Sequence, residues 1–403
     1  MRLKTVQIRH YKSLDNVTVH LHHGITVIVG PNGVGKSNFV DVFRFLHDAV
    51  ASNLDDAIRK REGIVRLLQY YKTRPSDIYL NFTFKDDREE FEYYLRLGGK
   101  GNGDWYIVRE SLSPLETAEP IEYGMRYVRE SSEKLIVDQD EIEGFPEHRL
   151  ALGMLLRQIQ DPQPEKNYFR LRSIPLGFRI IREVSHWSHC TIYPNILKKP
   201  ANPDRSRLAL EESGENWATV IKSAKPTVME RIYEAMQAVL PDFRHVKVET
   251  VGSYLIPRFF FASGEETIAF DPIQLSDGTL RLFGILLAAY QQPRPRLLVI
   301  EEPEQTIYPG ALAVLADVFT EISETTQVII TTHSPYLISH FAPDQIRVAY
   351  MKNSLTQIAR IHPNQMEAIH EGLMSLGEFM TAEGLQPADR KSTRLNSSHV
   401  KLS

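Results

Sequence analysis

The stretch that decides the fold is Ile28-Val29-Gly30-Pro31-Asn32-Gly33-Val34-Gly35-Lys36-Ser37-Asn38-Phe39-Val40. Gly30 to Ser37 read G-x-x-x-x-G-K-S, preceded by the apolar run 25–29 and followed by an amphipathic segment. Glycines let successive backbone N–H groups turn inward around phosphates. Lys36 is placed to reach the β and γ oxygens, and the Ser37 hydroxyl to ligate Mg²⁺. Strand, loop and helix in this order imply a nucleoside triphosphate held by Gly30, Pro31, Asn32, Gly33, Val34, Gly35, Lys36, Ser37 and Asn38.

Outward from this loop, residues 2–10 and 14–21 alternate as strands, and a helix from Lys36 to about Val50 carries Phe39, Val40, Phe43, Leu46 and Val50 on its inner side. A charged helical piece is expected over 54–70. Strands follow at 78–84, 91–97 and 105–110, with a glycine-rich hairpin turn at 98–103. From 112 to 245 prolines interrupt the chain repeatedly. Helical signals at 149–160, 215–224 and 226–239 give a mostly helical insertion, and none persists long enough for a coiled-coil arm. Alternation returns at 245–261 and 267–270. After Ser276 helices and strands alternate, with Leu297–Ile300 and Val328–Ile330 as central parallel strands buried on both faces. The expected division is 1–111, first half of the nucleotide-binding core with a β-rich lobe; 112–245, the insertion; 246–388, the second half; and 389–403, a disordered or non-native tail.

The chain has 403 residues, 42% of them hydrophobic and 24% charged, with a formal net charge of -4. This is an ordinary globular composition without a global basic field for nucleic acid. A single cysteine, Cys190, excludes an intramolecular disulfide and a thiolate cluster and points to a reducing, cytoplasmic setting. No run of about 18 apolar residues suggests a membrane span.

Three further stretches carry chemistry. Leu297-Leu298-Val299-Ile300-Glu301-Glu302-Pro303-Glu304 ends a buried strand in two carboxylates, at the edge where open α/β sheets bind ligands. Glu301 suits a Mg²⁺ and Glu302 a general base for the attacking water. Neighbouring strand residues point oppositely, so the chain must bend there. Val328–Pro335 brings His333 to the end of another central strand as a γ-phosphate sensor, with general base as its second role. Leu275-Ser276-Asp277-Gly278-Thr279-Leu280-Arg281 puts Ser276 and Gly278 at a helix N-terminus, an anion site. Asp277 alone would be only a cap.

Taken together, Gly30–Ser37, Leu275–Arg281, Leu298–Glu304 and Thr332–Pro335 resemble the ABC-type ATPase superfamily. They are most similar to the compact branch related to the RecF, SMC and Rad50 heads, and to "AAA family" ATPase components of bacterial anti-phage defence. The resemblance covers about residues 1–385, including Ile8–Leu14, Leu210–Val220 and Ser375–Phe379. It implies an α/β head with a β-rich lobe and helical insertion, and ATP and Mg²⁺ as cofactors. Ser276 and Gly278 would reach ATP held by a second copy, Glu301 would support the metal, Glu302 and Lys36 would act in catalysis, and His333 would be the switch histidine. Glu304–Tyr308 would link the two nucleotide sites. Thr279 stands where transporter signatures carry Gln, and Tyr308 where this branch often has His. The metal-coupling glutamine has only Gln158 as a poor candidate.

The expected function is an ATP-hydrolysing homodimer, or an assembly of dimers, controlling an effector such as a nuclease in anti-phage defence. The alternative is a DNA-binding repair or chromosome-maintenance ATPase of RecF type, with Arg59, Lys60, Arg61, Arg66, Lys72 and Arg74 as DNA contacts. A solvated helix face is the plainer account of those residues. Asp138, Asp140, Glu141 and Glu143 read as a surface loop rather than a nuclease centre. His186, His189 and Cys190 lack a fourth ligand for zinc.

Overall fold

The computed structural model describes residues 1–68, 77–86, 89–99, 103–115, 127–130, 135–137, 140–142, 149–160, 174–203 and 209–389. The chain opens with the antiparallel pair β1 (Arg2–Tyr11) and β2 (Leu14–His20), followed by β3 (Ile25–Val29), which runs into the glycine loop. Next come β4 (Ile78–Lys85), β5 (Glu90–Gly99) and β6 (Trp105–Pro114), then the short β7 (Tyr127–Glu130), β8 (Leu135–Val137) and β9 (Asp140–Ile142). A tenth strand, β10 (Trp187–Cys190), precedes the separate meander β11 (Phe243–Val251), β12 (Tyr254–Ser263) and β13 (Glu266–Phe270). The core closes with β14 (Leu297–Glu301), β15 (Gln327–Thr332), β16 (Ile346–Lys352) and β17 (Leu355–Ala359).

Among the described residues fourteen strands form one sheet, ordered β10-β14-β15-β3-β16-β17-β2-β1-β4-β5-β6-β7-β8-β9. The first five are mutually parallel, and β1, β2 and β4 to β9 continue the sheet as an antiparallel lobe. Placing β3 between β15 and β16 sets the phosphate loop beside the carboxyl ends of β14 and β15.

Both faces of the parallel core are buried, so its strands read as unbroken apolar runs. Ile28, Leu297, Val299 and Ile329 face one core, shared with Phe39, Phe43 and Leu46 of the helix Lys36–Ala51. Val27, Leu298, Ile300, Val328 and Ile330 face the other. That side is covered by Leu280, Phe283 and Leu287 of the helix Asp277–Tyr290 and by Leu312, Leu315 and Phe319 of the helix Pro309–Ser323. Each such side chain contributes about 1.5–3 kcal/mol on burial.

The helices Ala151–Gln160, Trp217–Ser223 and Pro226–Val239 lie where periodicity places them. The segment 112–245 also holds elements that it did not predict: the end of β6, the short β7 to β9, the helix Ile174–Val184 and β10, which extends the parallel core. Trp187 explains the last. Its ring packs among Phe43, Phe82 and Phe84, a buried aromatic anchor in a run too short to show a period. The piece expected as one helix over 54–70 is two, Leu54–Arg59 and Ile64–Leu67, broken at Gly63 with φ 95°. The alternating run 245–261 is likewise two strands, turning at Gly252 with φ 60°. Residues 100–102 of the glycine-rich turn, Lys72, Arg74, Asp138, Glu143, the side chains of Asp140, Glu141 and Gln158, and residues 390–403 lie outside what is described.

Candidate ATPase site

The phosphate loop is shaped by close approach. Gly35 caps the helix Lys36–Ala51 in a left-handed conformation, φ 93°. A Cβ there would lie 2.1 Å from Thr356 Oγ1 and 2.7 Å from Ser13 Oγ. These two hydroxyls form the floor of the loop. Thr356 Oγ1 donates to Val34 O at 2.8 Å, Asn38 Nδ2 donates to Ser13 Oγ at 2.7 Å, and the hydroxyls lie 2.6 Å apart. Gly30 is equally constrained, because a Cβ would lie 2.4 Å from Ala349 O. Lys36 curls back, donating to Gly30 O at 2.8 Å and Pro31 O at 3.1 Å. Pro31, Asn32, Gly33 and Ser37 face solvent, while Val34 is buried under the loop.

At the end of β14 the expected bend is present: Glu302 has φ 44°, a left-handed conformation costing about 1–2 kcal/mol for a side chain of this kind. Its N–H donates to Thr331 O at 2.9 Å, tying the bend to β15. The carboxylate then sits between two other predicted groups. Glu302 Oε1 is 3.7 Å from Lys36 Nζ and 3.7 Å from His333 Nδ1, and Gln305 Nε2 donates to Oε2. Lys36 from the start of the phosphate-loop helix and His333 from the end of β15 thus meet at the Glu302 carboxylate that follows β14.

Glu301 points elsewhere. Its Oε1 accepts from Arg44 Nη2 at 2.9 Å, and the same guanidinium binds Glu212 and lies 3.7 Å from Asp41. The carboxylate partners raise the Arg44 pKa against the opposing effect of burial. Arg44, Glu212 and Asp41 are site neighbours missed from sequence, although Asp41 and Arg44 are charges inside the apolar run Val40–Leu46. Ser13 and Thr356 gave no such signal.

Ser276 and Gly278 open the helix Asp277–Tyr290. The Ser276 hydroxyl accepts from Thr279 N at 3.1 Å as a cap. A Cβ on Gly278 would lie 2.4 Å from Thr306 O, so this helix presses on the loop that follows Glu302. Arg281, three residues on, donates to Glu302 O at 3.1 Å and Glu301 O at 3.4 Å.

The basic residues 59–66 are correspondingly engaged within the chain. Arg61 is buried against Asp41 at 2.9 Å and Asp48 at 3.0 Å, Lys60 pairs with Asp48 at 2.7 Å, Arg59 with Asp56 at 3.3 Å, and Arg66 with Glu62 at 3.4 Å. The expectation of Arg61 as a DNA contact is therefore corrected, whereas Arg59 and Arg66 stay exposed beside their carboxylate partners. His189 and Cys190 are consecutive in β10 and face opposite sides. His186 Nδ1 lies 2.8 Å from Arg182 O, so the three do not converge on a metal. Burial pushes the Cys190 thiol up to about 12.

A family model described as "AAA domain, putative AbiEii toxin, Type IV TA system" matches residues 25–144 and 156–339. The chain belongs to this AAA_21 family. Among curated proteins it is similar to the chromosome partition protein Smc of Methanocaldococcus jannaschii, 28% identical over 114 residues, or 26% of this chain and 9% of the relative. The Smc of Halobacteriovorax marinus is 57% identical over 42 residues, 10% of this chain and 3% of the relative. The DNA double-strand break repair Rad50 ATPase of Thermoplasma volcanium is 29% identical over 75 residues, 18% of this chain and 8% of the relative. The chain thus spans a tenth or less of the length of the curated relatives it matches. A solved Smc head bound to the C-terminal winged-helix domain of ScpA shares the fold, with TM-score 0.57 and 13% identity, covering 91% of this chain and 99% of that one. The Smc head of Pyrococcus furiosus bound to the C-terminal domain of ScpA gives TM-score 0.50 and 12% identity, covering 92% and 99%. The chain thus carries an AAA_21 domain on a fold shared with the Smc heads. Among its described residues no helix is long and apolar enough to cross a membrane.

Proposed function

We propose that this AAA_21 ATPase works as a homodimeric switch of the SMC and Rad50 kind, in which ATP joins two copies and hydrolysis separates them. The meeting of Lys36, Glu302 and His333 at one carboxylate carries the reading. Lys36 exchanges its carbonyl partners for phosphate oxygens, Glu302 takes a proton from the attacking water, and His333 senses the γ-phosphate. Ser37 and Glu301 offer hard oxygen donors of the type Mg²⁺ takes alongside phosphates and water, and Arg44 orients the Glu301 carboxylate. Held by these residues, Mg²⁺ would supply neutralisation of charge on the phosphates. Ser276 and the Gly278 amide supply the second copy's contribution across the interface.

For the work done by this cycle, the relatives favour DNA maintenance with a protein partner on the head. They are named for chromosome partition and double-strand break repair, and two solved heads of the same fold carry ScpA domains. DNA contact would rest on surfaces other than the ion-paired residues 60–61. The second reading, control of a toxin or nuclease effector in anti-phage defence, is favoured by the family's toxin–antitoxin description.

Light scattering of the wild type and of Glu302→Gln, with and without Mg-ATP and a short duplex, tests both levels. Doubling of mass by ATP, held in the variant, supports the engagement cycle, and a further DNA-dependent shift supports the maintenance reading. An unchanged mass in every condition refutes the cycle.

A further inference from the structure

Glu304 was read from sequence only as the start of a connecting loop, yet it is among the more constrained carboxylates in the molecule. Its side chain is 8% exposed. Oε1 accepts from Thr332 Oγ1 at 2.7 Å and from the His333 N–H at 2.9 Å, and His333 Nδ1 lies 3.3 Å away. Oε2 is buried without a hydrogen-bond partner. A carboxylate withdrawn from water on one oxygen is costly unless the other is well engaged, and all three groups around Oε1 belong to the turn that carries the histidine. The loop presenting Glu304 is itself rigid. It is braced by Gln305 N to Glu302 O and Ile307 N to Glu304 O, both 3.2 Å, and by Gly278 packed against Thr306 O.

From this geometry we propose that Glu304 is a positioning residue for ATP hydrolysis, fixing the main chain and ring of His333 so that its Nε2 end meets the γ-phosphate. The assignment rests on the reading of His333 as phosphate sensor given above. Glu304 acts through His333 and not on the reacting atoms. It acts by restricting His333, at the backbone nitrogen and at Nδ1, to one placement, and Thr332 closes the same clasp. Because the loop also abuts the helix of Ser276 and Gly278, movement of that helix reaches His333 through Glu304.

The test is steady-state ATPase kinetics on the full chain for His333→Ala, Glu304→Ala, Glu304→Gln, Thr332→Val and the double variant His333→Ala/Glu304→Ala. The expected result is a kcat for Glu304→Ala lowered about 10- to 100-fold, with KM for ATP within about threefold. Glu304→Gln, which keeps a carbonyl acceptor for Thr332 and the His333 N–H, recovers part of the loss. The double variant is no slower than His333→Ala by more than about twofold, because the second residue works only through the first. Losses that multiply in the double variant, or an unchanged kcat in Glu304→Ala, overturn the proposal while leaving the role of His333 intact. An unchanged kcat in His333→Ala overturns both. If Glu304→Ala does not fold, Glu304→Gln and Thr332→Val in the His333→Ala background give the same cycle.

Discussion

Asp41→Asn is the substitution whose cost follows most directly from the structure. Asp41 lies on the phosphate-loop helix, 9% exposed at its side chain. It accepts from Tyr11 at 2.7 Å, Lys12 at 2.6 Å and Arg61 at 2.9 Å. Burial would raise its pKa, but the Arg61 and Lys12 charges prevail and hold it at about 2, below the ordinary 3.8. That difference corresponds to about 2.5 kcal/mol, since one pKa unit is about 1.4 kcal/mol. A further part comes from leaving the buried Arg61 with Asp48 alone, so the expected loss is about 3 kcal/mol at pH 7. The folded-state value lies below the unfolded one. The stabilisation is therefore complete above pH 3.8 and disappears as the pH falls through 2. Urea unfolding at pH 7 should show the midpoint of Asp41→Asn clearly lowered, and acid titration of the wild type should show a loss between those values that the variant lacks. A variant within about 0.5 kcal/mol of wild type at pH 7 would refute the reasoning, because a surface pair is worth that much.

Gly278→Ala drives a methyl to within 2.4 Å of the backbone oxygen of Thr306, and should cost about 1–3 kcal/mol and slow ATP hydrolysis as the loop shifts. A Tm within about 1 °C of wild type would show the loop yields freely. Burial lifts the Glu183 carboxyl from 4.5 to about 7, so the folded chain holds a proton there that the unfolded chain has lost. Stability should fall as pH rises between 4.5 and 7, by about 3 kcal/mol in all, and Glu183→Gln should flatten that slope in urea midpoints measured from pH 5 to 8. Arg61→Ala should lower the Tm without changing affinity for a DNA duplex at fixed salt, whereas Arg59→Ala, 76% exposed, should leave the Tm where it is.

Much of the architecture was legible because the parallel core is buried on both faces and leaves uninterrupted apolar runs. The helix Pro226–Val239 falls on its predicted limits, with proline in its first turn as a start signal. The bend at Glu302 also followed from the paired carboxylates, although Glu301 still turns away from Glu302 to Arg44. What escaped was set by distant chain. β10 is four residues long and is a strand because β14 offers it an edge. Ser13 and Thr356 floor the phosphate loop from far ends of the sequence, and hydroxyls in strand-like segments carry no mark of that use. Asp41 and Arg44 did carry one, as charges in an apolar helix face, which signals partners buried nearby.

The place of β3 in the sheet bears on how the chain is made. Ile25 pairs with Val328 and Val27 with Ile346, so the strand that launches the phosphate loop has neither neighbour until some three hundred further residues have left the ribosome. During that interval both its edges are bare and its five side chains, all buried in the finished protein, have no cover. The β1–β2 hairpin and the antiparallel lobe close on nearby residues and are free to form early. The candidate site thus assembles late. Fragments ending before residue 350 should be sticky and inactive, and newly made chains should depend on chaperones that shield an apolar strand through translation.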